Sequence, residues 1–191
     1  MARRREQAAP RLMKPVFLVF CEGETEENYL DFIRRKYKSP IKIVSSVEGN
    51  QISQNLIEKR QQELKISKNE KIKTFLMYDL DVKVVNAKLK SCDAEWLCSN
   101  PCIELWFLLH SKLQTIEITT DNCLKTLINV GGVWKEYKKS VLTETQKNYL
   151  WDNKTIAIDR AKKLTENENP SSGIYKLLET IENSLNILNK D

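Results

Sequence analysis

One histidine, His110, and five cysteines without a Cys-x-x-Cys pair leave this 191-residue chain without the usual materials of a zinc site. Cys21, Cys92, Cys98, Cys102 and Cys123 are odd in number, and free cysteine is among the most buried residue types, so reduced thiols in apolar positions are expected. No apolar run approaches the eighteen or so residues that span a bilayer, and the cluster Leu105 to Leu109 suits a buried turn of helix. Membrane partners are therefore not expected. No charged-then-apolar leader with a small-residue cleavage site opens the chain, which makes a cytoplasmic address the expectation. Internal repeats and low-complexity segments are also lacking.

What remains is the composition of a soluble globular chain, 41% hydrophobic and 30% charged, long enough for one core domain with a helical appendix. The net charge of +5 is unevenly spread. Arg3, Arg4, Arg5, Arg11 and Lys14 against Glu6 place four of those charges in residues 1–14. The basic character is mostly that of an N-terminal arm, which suits either contact with nucleic-acid phosphates or a disordered solubilising end.

Val16 to Cys21 reads as a strand buried on both faces, as parallel sheets require. Thr25 is placed to cap the following helix, whose first turn carries Glu26 and Glu27 and whose core stripe is Tyr29, Leu30, Phe32 and Ile33. A strand over 41–44, a helix over 51–65, strands over 72–78 and 94–98 and a helix over 82–90 complete a β-α-β-α-β-α-β order. That order predicts an α/β fold with a parallel sheet of about four strands. Pro101 then opens a very apolar helix to His110, Gly131-Gly132 marks a break, and two or three amphipathic helices run from 142 to 188. The last is introduced by Asn169-Pro170-Ser171-Ser172-Gly173. The expected organisation is a basic arm (1–14), an α/β core (15–111) and a helical extension packed on it (112–191).

Carboxylates gather at the ends of two of these strands. Glu22 and Glu26 follow the first, and Asp79 and Asp81 follow the third. In an extended strand, residues two apart point to the same side with Cα atoms roughly 7 Å apart, so Asp79 and Asp81 suit a shared divalent ion. Alone, Asp-x-Asp at a strand end more often caps the next helix than binds a metal. Beside Glu22, the pattern fits Mg²⁺ (or Mn²⁺), which takes one or two carboxylates and completes its shell with water and phosphate oxygens. Glu22 then either coordinates or handles protons.

Glu22-Gly23 after a first strand and Asp79-x-Asp81 after a later one resemble the Toprim domain of topoisomerases, primases and OLD-family nucleases. More narrowly, Cys21-Glu22-Gly23-Glu24-Thr25-Glu26-x-x-Tyr29, Tyr78-Asp79-Leu80-Asp81, Ser99-Asn100-Pro101-Cys102-x-Glu104-Leu105-Trp106 and Asn169-Pro170-Ser171-Ser172 resemble the RloB-like family. The resemblance implies a Toprim-like Rossmannoid core and a Mg²⁺-dependent nuclease of bacterial anti-phage defence, found at restriction-modification loci and often beside a P-loop ATPase partner. It makes Glu22 the catalytic acid or base, Asp79 and Asp81 metal ligands, and Glu26 a further acid near the metal. The chain departs from the family after Asp81, where a further acid or histidine is common and Val82-Lys83 stand. An alternative is a non-catalytic subunit that binds metal or phosphate and regulates an ATPase.

Asn100 is placed to cap the helix begun by Pro101, and Glu104, four residues on, shares its face. A carboxylate amid Leu105, Trp106, Phe107 and Leu108 needs a partner or a metal, so Glu104 is a candidate for the acidic site. His110 suits a dipole partner at the helix end more than a catalyst. Phosphodiester chemistry also needs positive charge, and Lys135, Lys138 and Lys139 around Trp134 and Tyr137 form the densest basic and aromatic cluster outside the arm. Lys138 is the candidate for the transition state. All three, with Arg3, Arg4 and Arg5, are candidates for nucleic-acid contact, on DNA or on RNA including tRNA.

Overall fold

Six consecutive buried residues form strand β1 (Val16–Cys21), which lies inside the sheet with a neighbour on each side. The computed structural model describes residues 15–37, 42–64 and 72–188, so the basic arm with Arg3, Arg4 and Arg5 lies outside the described residues. Helix α1 (Glu24–Tyr37) returns the chain to β2 (Lys42–Val47), and α2 (Gln54–Glu63) carries it to β3 (Ile72–Met77). Helix α3 (Lys83–Lys90) and the short β4 (Glu95–Trp96) complete a parallel sheet in the order β2-β1-β3-β4. This is the α/β arrangement with a parallel four-stranded sheet expected from the sequence, and it is consistent with a Rossmannoid, Toprim-like core.

The strand order positions the site. After β1 the chain steps to one side for β2 and then crosses to the other side for β3. A crevice therefore opens between the C-terminal ends of β1 and β3, where open α/β sheets bind ligands. Alternation along the strands divides the interior in two. Phe17, Val19, Cys21, Phe75 and Met77 join α1 and the C-terminal helices, while Leu18, Phe20, Leu76 and Tyr78 pack with residues of α2 and α3.

Helix α4 (Ile103–Ser111) is buried from Ile103 to His110, as its all-round apolar surface requires. Around it pack α5 (Thr120–Asn129), α6 (Glu144–Asp152), α7 (Lys154–Ala161) and α8 (Tyr175–Leu188), with Cys123, Leu127, Leu150, Ala157 and Leu177 in the same core as Phe17 and Trp106. All five cysteines are free and buried, as expected.

Three local expectations are corrected. The fourth strand does not run over 94–98. Its regular part is Glu95–Trp96; beyond it Leu97 and Ser99 still donate to the Leu76 and Tyr78 carbonyls, at 2.7 and 2.9 Å, while Ser99–Asn100 (β5) pairs antiparallel with Ser171–Ser172 (β6), tying the extension to the core. Helix α4 does not begin at Pro101 with Asn100 as its cap. The Asn100 backbone is committed to the β5–β6 pair, its side chain donates to the Asn167 carbonyl at 3.0 Å, and the helix starts at Ile103. Thr25 does not cap α1 either. It lies within the helix, and its hydroxyl accepts the Ser140 N–H at 3.1 Å.

The β5–β6 junction is close-packed. Ser99 and Ser172 hydroxyls meet at 2.9 Å, and Gly173 donates its N–H to the Cys98 carbonyl at 2.8 Å. A Cβ on Gly173 would lie 3.0 Å from the Trp96 carbonyl oxygen and 3.4 Å from Leu97 Cα, both backbone atoms with little freedom to retreat. Gly173→Ala is expected to cost about 1–3 kcal/mol. A lowered urea midpoint at unchanged slope is the check.

Candidate functional site

The register that sets Cys21 beside Met77 delivers the next residues of both chains to the crevice. There Glu22 Oε2 accepts the backbone N–H of Asp79 at 2.9 Å, joining the two strand ends through a carboxylate. Glu26, one turn into α1, is buried and reaches back to accept the Gly23 N–H at 3.1 Å. Asp79 Oδ1 accepts the N–H of Ile103 at 2.8 Å, so it caps α4 across space. That cap holds the first turn of α4, and with it Glu104, near the acids, and Glu104 adds to the upward shifts of Asp79 and Glu26.

Glu104 is 1% exposed. Its Oε1 accepts the Tyr137 hydroxyl at 3.0 Å and has Lys139 Nζ at 4.0 Å, while its Oε2 is buried without a hydrogen-bond partner. Buried carboxylate oxygens are rarely left so. Asp81 behaves differently. The chain bends at Leu80, whose N–H bonds to the Ser99 carbonyl at 2.9 Å, and exposed Asp81 accepts the Thr120 hydroxyl at 2.9 Å. The expectation that Asp79 and Asp81 share one side of an extended strand is thus corrected: β3 ends at Met77, and the two acids face different neighbours.

The acids feel one another. Burial pushes the Asp79 carboxyl well above the usual range, with Glu26, Glu22, Glu104 and Asp81 adding to the shift. Burial, reinforced by Glu22 and Glu104, raises Glu26 to about 7 against the pull of its backbone hydrogen bonds. Glu22 is raised by burial and Asp81, opposed by the Asp79 N–H and by Lys139. Partial burial disfavours the Lys139 ammonium, but Glu104, Asp79 and Glu26 outweigh it, and the net shift is upward.

Lys135, Lys138 and Lys139 are all exposed, but Lys139 comes within 4.0 Å of Glu104, whereas Lys138 stands in a bridge with Val141. The segment is not the helix face that would set all three lysines by simple spacing. It is a 3-10 turn (Gly132–Trp134) followed by a loop with Ser140 at φ 63°. Tyr137, the partner of Glu104, was visible beforehand only as part of an aromatic cluster. His110 is a core residue: its Nδ1 lies 2.8 Å from the Trp106 carbonyl, and burial lowers it to about 4, which leaves it neutral near pH 7 rather than a charged dipole partner.

Glu22, Glu26, Asp79, Asp81 and Glu104 offer oxygens alone, the donor set that Mg²⁺ or Mn²⁺ prefers, and the unpartnered Glu104 Oε2 fits a cation ligand. Among the described residues, no three acidic, histidine or cysteine side chains are drawn together as a ready-made metal shell. Each of Glu22, Glu26 and Asp79 instead turns one oxygen to a backbone N–H.

Tyr137→Phe tests the wiring of Glu104. The phenol is buried, and its loss leaves Oε1 with only half-exposed Lys139. A hydrogen bond to a charged group contributes about 1.5–3 kcal/mol, so Tm is expected to fall roughly 4–10 °C in a scanning-calorimetry trace.

Among the described residues, no helix is long and apolar enough to cross a membrane. Neither a curated protein nor a solved structure matches the chain. The family model described as RloB-like protein matches residues 17–181, a span that includes every acid of the crevice, Lys139 and the β5–β6 junction. The chain belongs to the RloB-like family.

Proposed function

We propose that this protein is a Mg²⁺-dependent, Toprim-type nuclease that hydrolyses phosphodiester bonds in DNA or in RNA, tRNA included, and serves bacterial anti-phage defence. The observation that carries the reading is Glu104 Oε2, a buried carboxylate oxygen without a partner, on a helix whose first N–H is held by Asp79 itself. Membership of the RloB-like family supports the defence setting, given that family's association with restriction-modification and phage-exclusion loci.

Glu22, Asp79, Asp81, Glu26 and Glu104 are the residues that would hold the ion. Bound there, it would polarise a phosphoryl oxygen and make water more acidic. The remaining work falls to the chain. Glu22, with one oxygen held by the Asp79 N–H and its proton affinity raised by burial, suits acceptance of a proton from attacking water. Lys139 supplies positive charge at the inner rim. Exposed Lys135 and Lys138 suit contacts along the phosphate backbone, and the same role is proposed for Arg3, Arg4 and Arg5.

A second reading, a non-catalytic subunit that regulates a P-loop ATPase, draws on two observations. Among the described residues the acids are not pre-gathered as a metal shell, and Val82-Lys83 follow Asp81 where the resemblance implies a further acid or histidine. Incubation with Mg²⁺ or Mn²⁺ and a panel of tRNA, single-stranded DNA and duplex DNA separates the two. Products that appear with the cation and vanish with chelator support the nuclease. An intact panel at protein excess supports the regulatory subunit.

A further inference from the structure

Lys139 approaches the acids in an unusual way. Among the described residues, it is the one cationic side chain within 4.0 Å of any of the five carboxylates, and it meets Glu104 at the limit of that distance. A tight ammonium–carboxylate contact lies near 2.7–2.9 Å, so the pair is loose. The lysine side chain is 50% exposed while its partner is 1% exposed, which places the ammonium on the solvent side of a carboxylate that is otherwise enclosed.

The backbone beneath it is fixed. Ser140 N–H donates to Thr25 Oγ1 at 3.1 Å, and the Ser140 carbonyl accepts Asn28 Nδ2 at 2.8 Å, clamping the loop to the helix that carries Glu26. The main chain is held there, and the long lysine stem is left to swing. Tyr137 meanwhile keeps Glu104 in place through Oε1, and Oε2 is buried without a partner on a carboxylate near enough to Asp79 and Glu26 to raise both.

We propose that Lys139 is a built-in competitor of the divalent cation: its ammonium rests against Glu104, and a cation engaging that carboxylate drives it outward to meet the incoming phosphate. The inference rests on the reading of the acids as a cation site. Both ions answer the same buried charge, and two positive charges beside one carboxylate repel each other. The displaced ammonium is then on the solvent side, where a phosphodiester approaching the acids needs a counterion. Each event prepares the next, because cation entry frees the residue that binds substrate.

The test is titration calorimetry of MnCl₂ into the intact protein and into Lys139→Met, which keeps the apolar stem and removes the charge. Lys90→Met, at the far end of α3 from the crevice, controls for loss of charge in general. Lys139→Met is expected to bind Mn²⁺ roughly three- to fivefold more tightly than wild type, the scale of one exposed ion pair, with Lys90→Met unchanged. Uptake seen in Lys139→Met alone would be the same result in its extreme form. Equal or weaker binding by Lys139→Met, or equal tightening by Lys90→Met, overturns the competition while leaving the cation site standing. No uptake by either wild type or Lys139→Met overturns both.

Discussion

Asp79→Asn is expected to remove at least about a hundredfold of cation-dependent cleavage and to leave the melting temperature equal to or above that of wild type. The rate effect follows from position. Loss of even an outer partner of a metal ligand commonly costs 10–100-fold, and Asp79 is proposed as a ligand itself. The stability effect runs the other way. Asparagine keeps an oxygen to accept the Ile103 N–H, so the cap on α4 survives. It removes a buried negative charge that Glu26, Glu22, Glu104 and Asp81 all oppose. Turnover of a labelled oligonucleotide with Mg²⁺, beside a thermal melt, reads both effects. Cleavage at the wild-type rate would take Asp79 out of the chemistry.

Glu26 gives the second large effect, this time in the pH dependence of stability. Its carboxyl is raised from about 4.5 in the unfolded chain to about 7 in the folded one. Between those values the folded state holds more protons than the unfolded state, so stability falls as pH rises through the window. Below about 4.5 both states are protonated and the penalty is gone; above about 7 it is complete, on the order of 3 kcal/mol. Glutamine mimics the protonated form and can still accept the Gly23 N–H. Glu26→Gln is therefore expected to melt roughly 5–10 °C above wild type at pH 8 and level with it near pH 4.5. Saturating Mg²⁺ should narrow the gap at pH 8 by stabilising wild type more than the variant. A gap that stays constant with pH would mean that Glu26 does not titrate against its neighbours.

The sheet was legible because its signals are local. Val16 to Cys21 and Phe75 to Met77 are apolar without interruption, as strands covered on both faces require, and the helices between them carry their own stripes. The same runs put Glu22 and Asp79 at strand ends, and neighbouring strands brought them together. Glu104 was legible for a different reason, a lone carboxylate in an apolar helix that must find a purpose.

What escaped depends on contacts distant in sequence. Nothing near Ser99 announces that it will pair with Ser172, and that pairing moves the start of α4 from Pro101 to Ile103. Nothing near Asp81 tells that the Leu80 N–H will bond to Ser99 and turn the two aspartates apart. The choice of Lys139 over Lys138 turns on one left-handed residue, Ser140, held by Thr25 from across the molecule. Short-range periodicity carries no trace of such bonds.

Crystals grown with saturating Mn²⁺ and examined at its absorption edge test the shared cation site most directly. The expected result is an anomalous peak in the crevice between β1 and β3, about 2.1–2.2 Å from oxygens of Asp79 and of at least one among Glu22, Glu26, Asp81 and Glu104. A crevice without a peak, its carboxylates still turned to the Asp79, Gly23 and Ile103 amides, would contradict it.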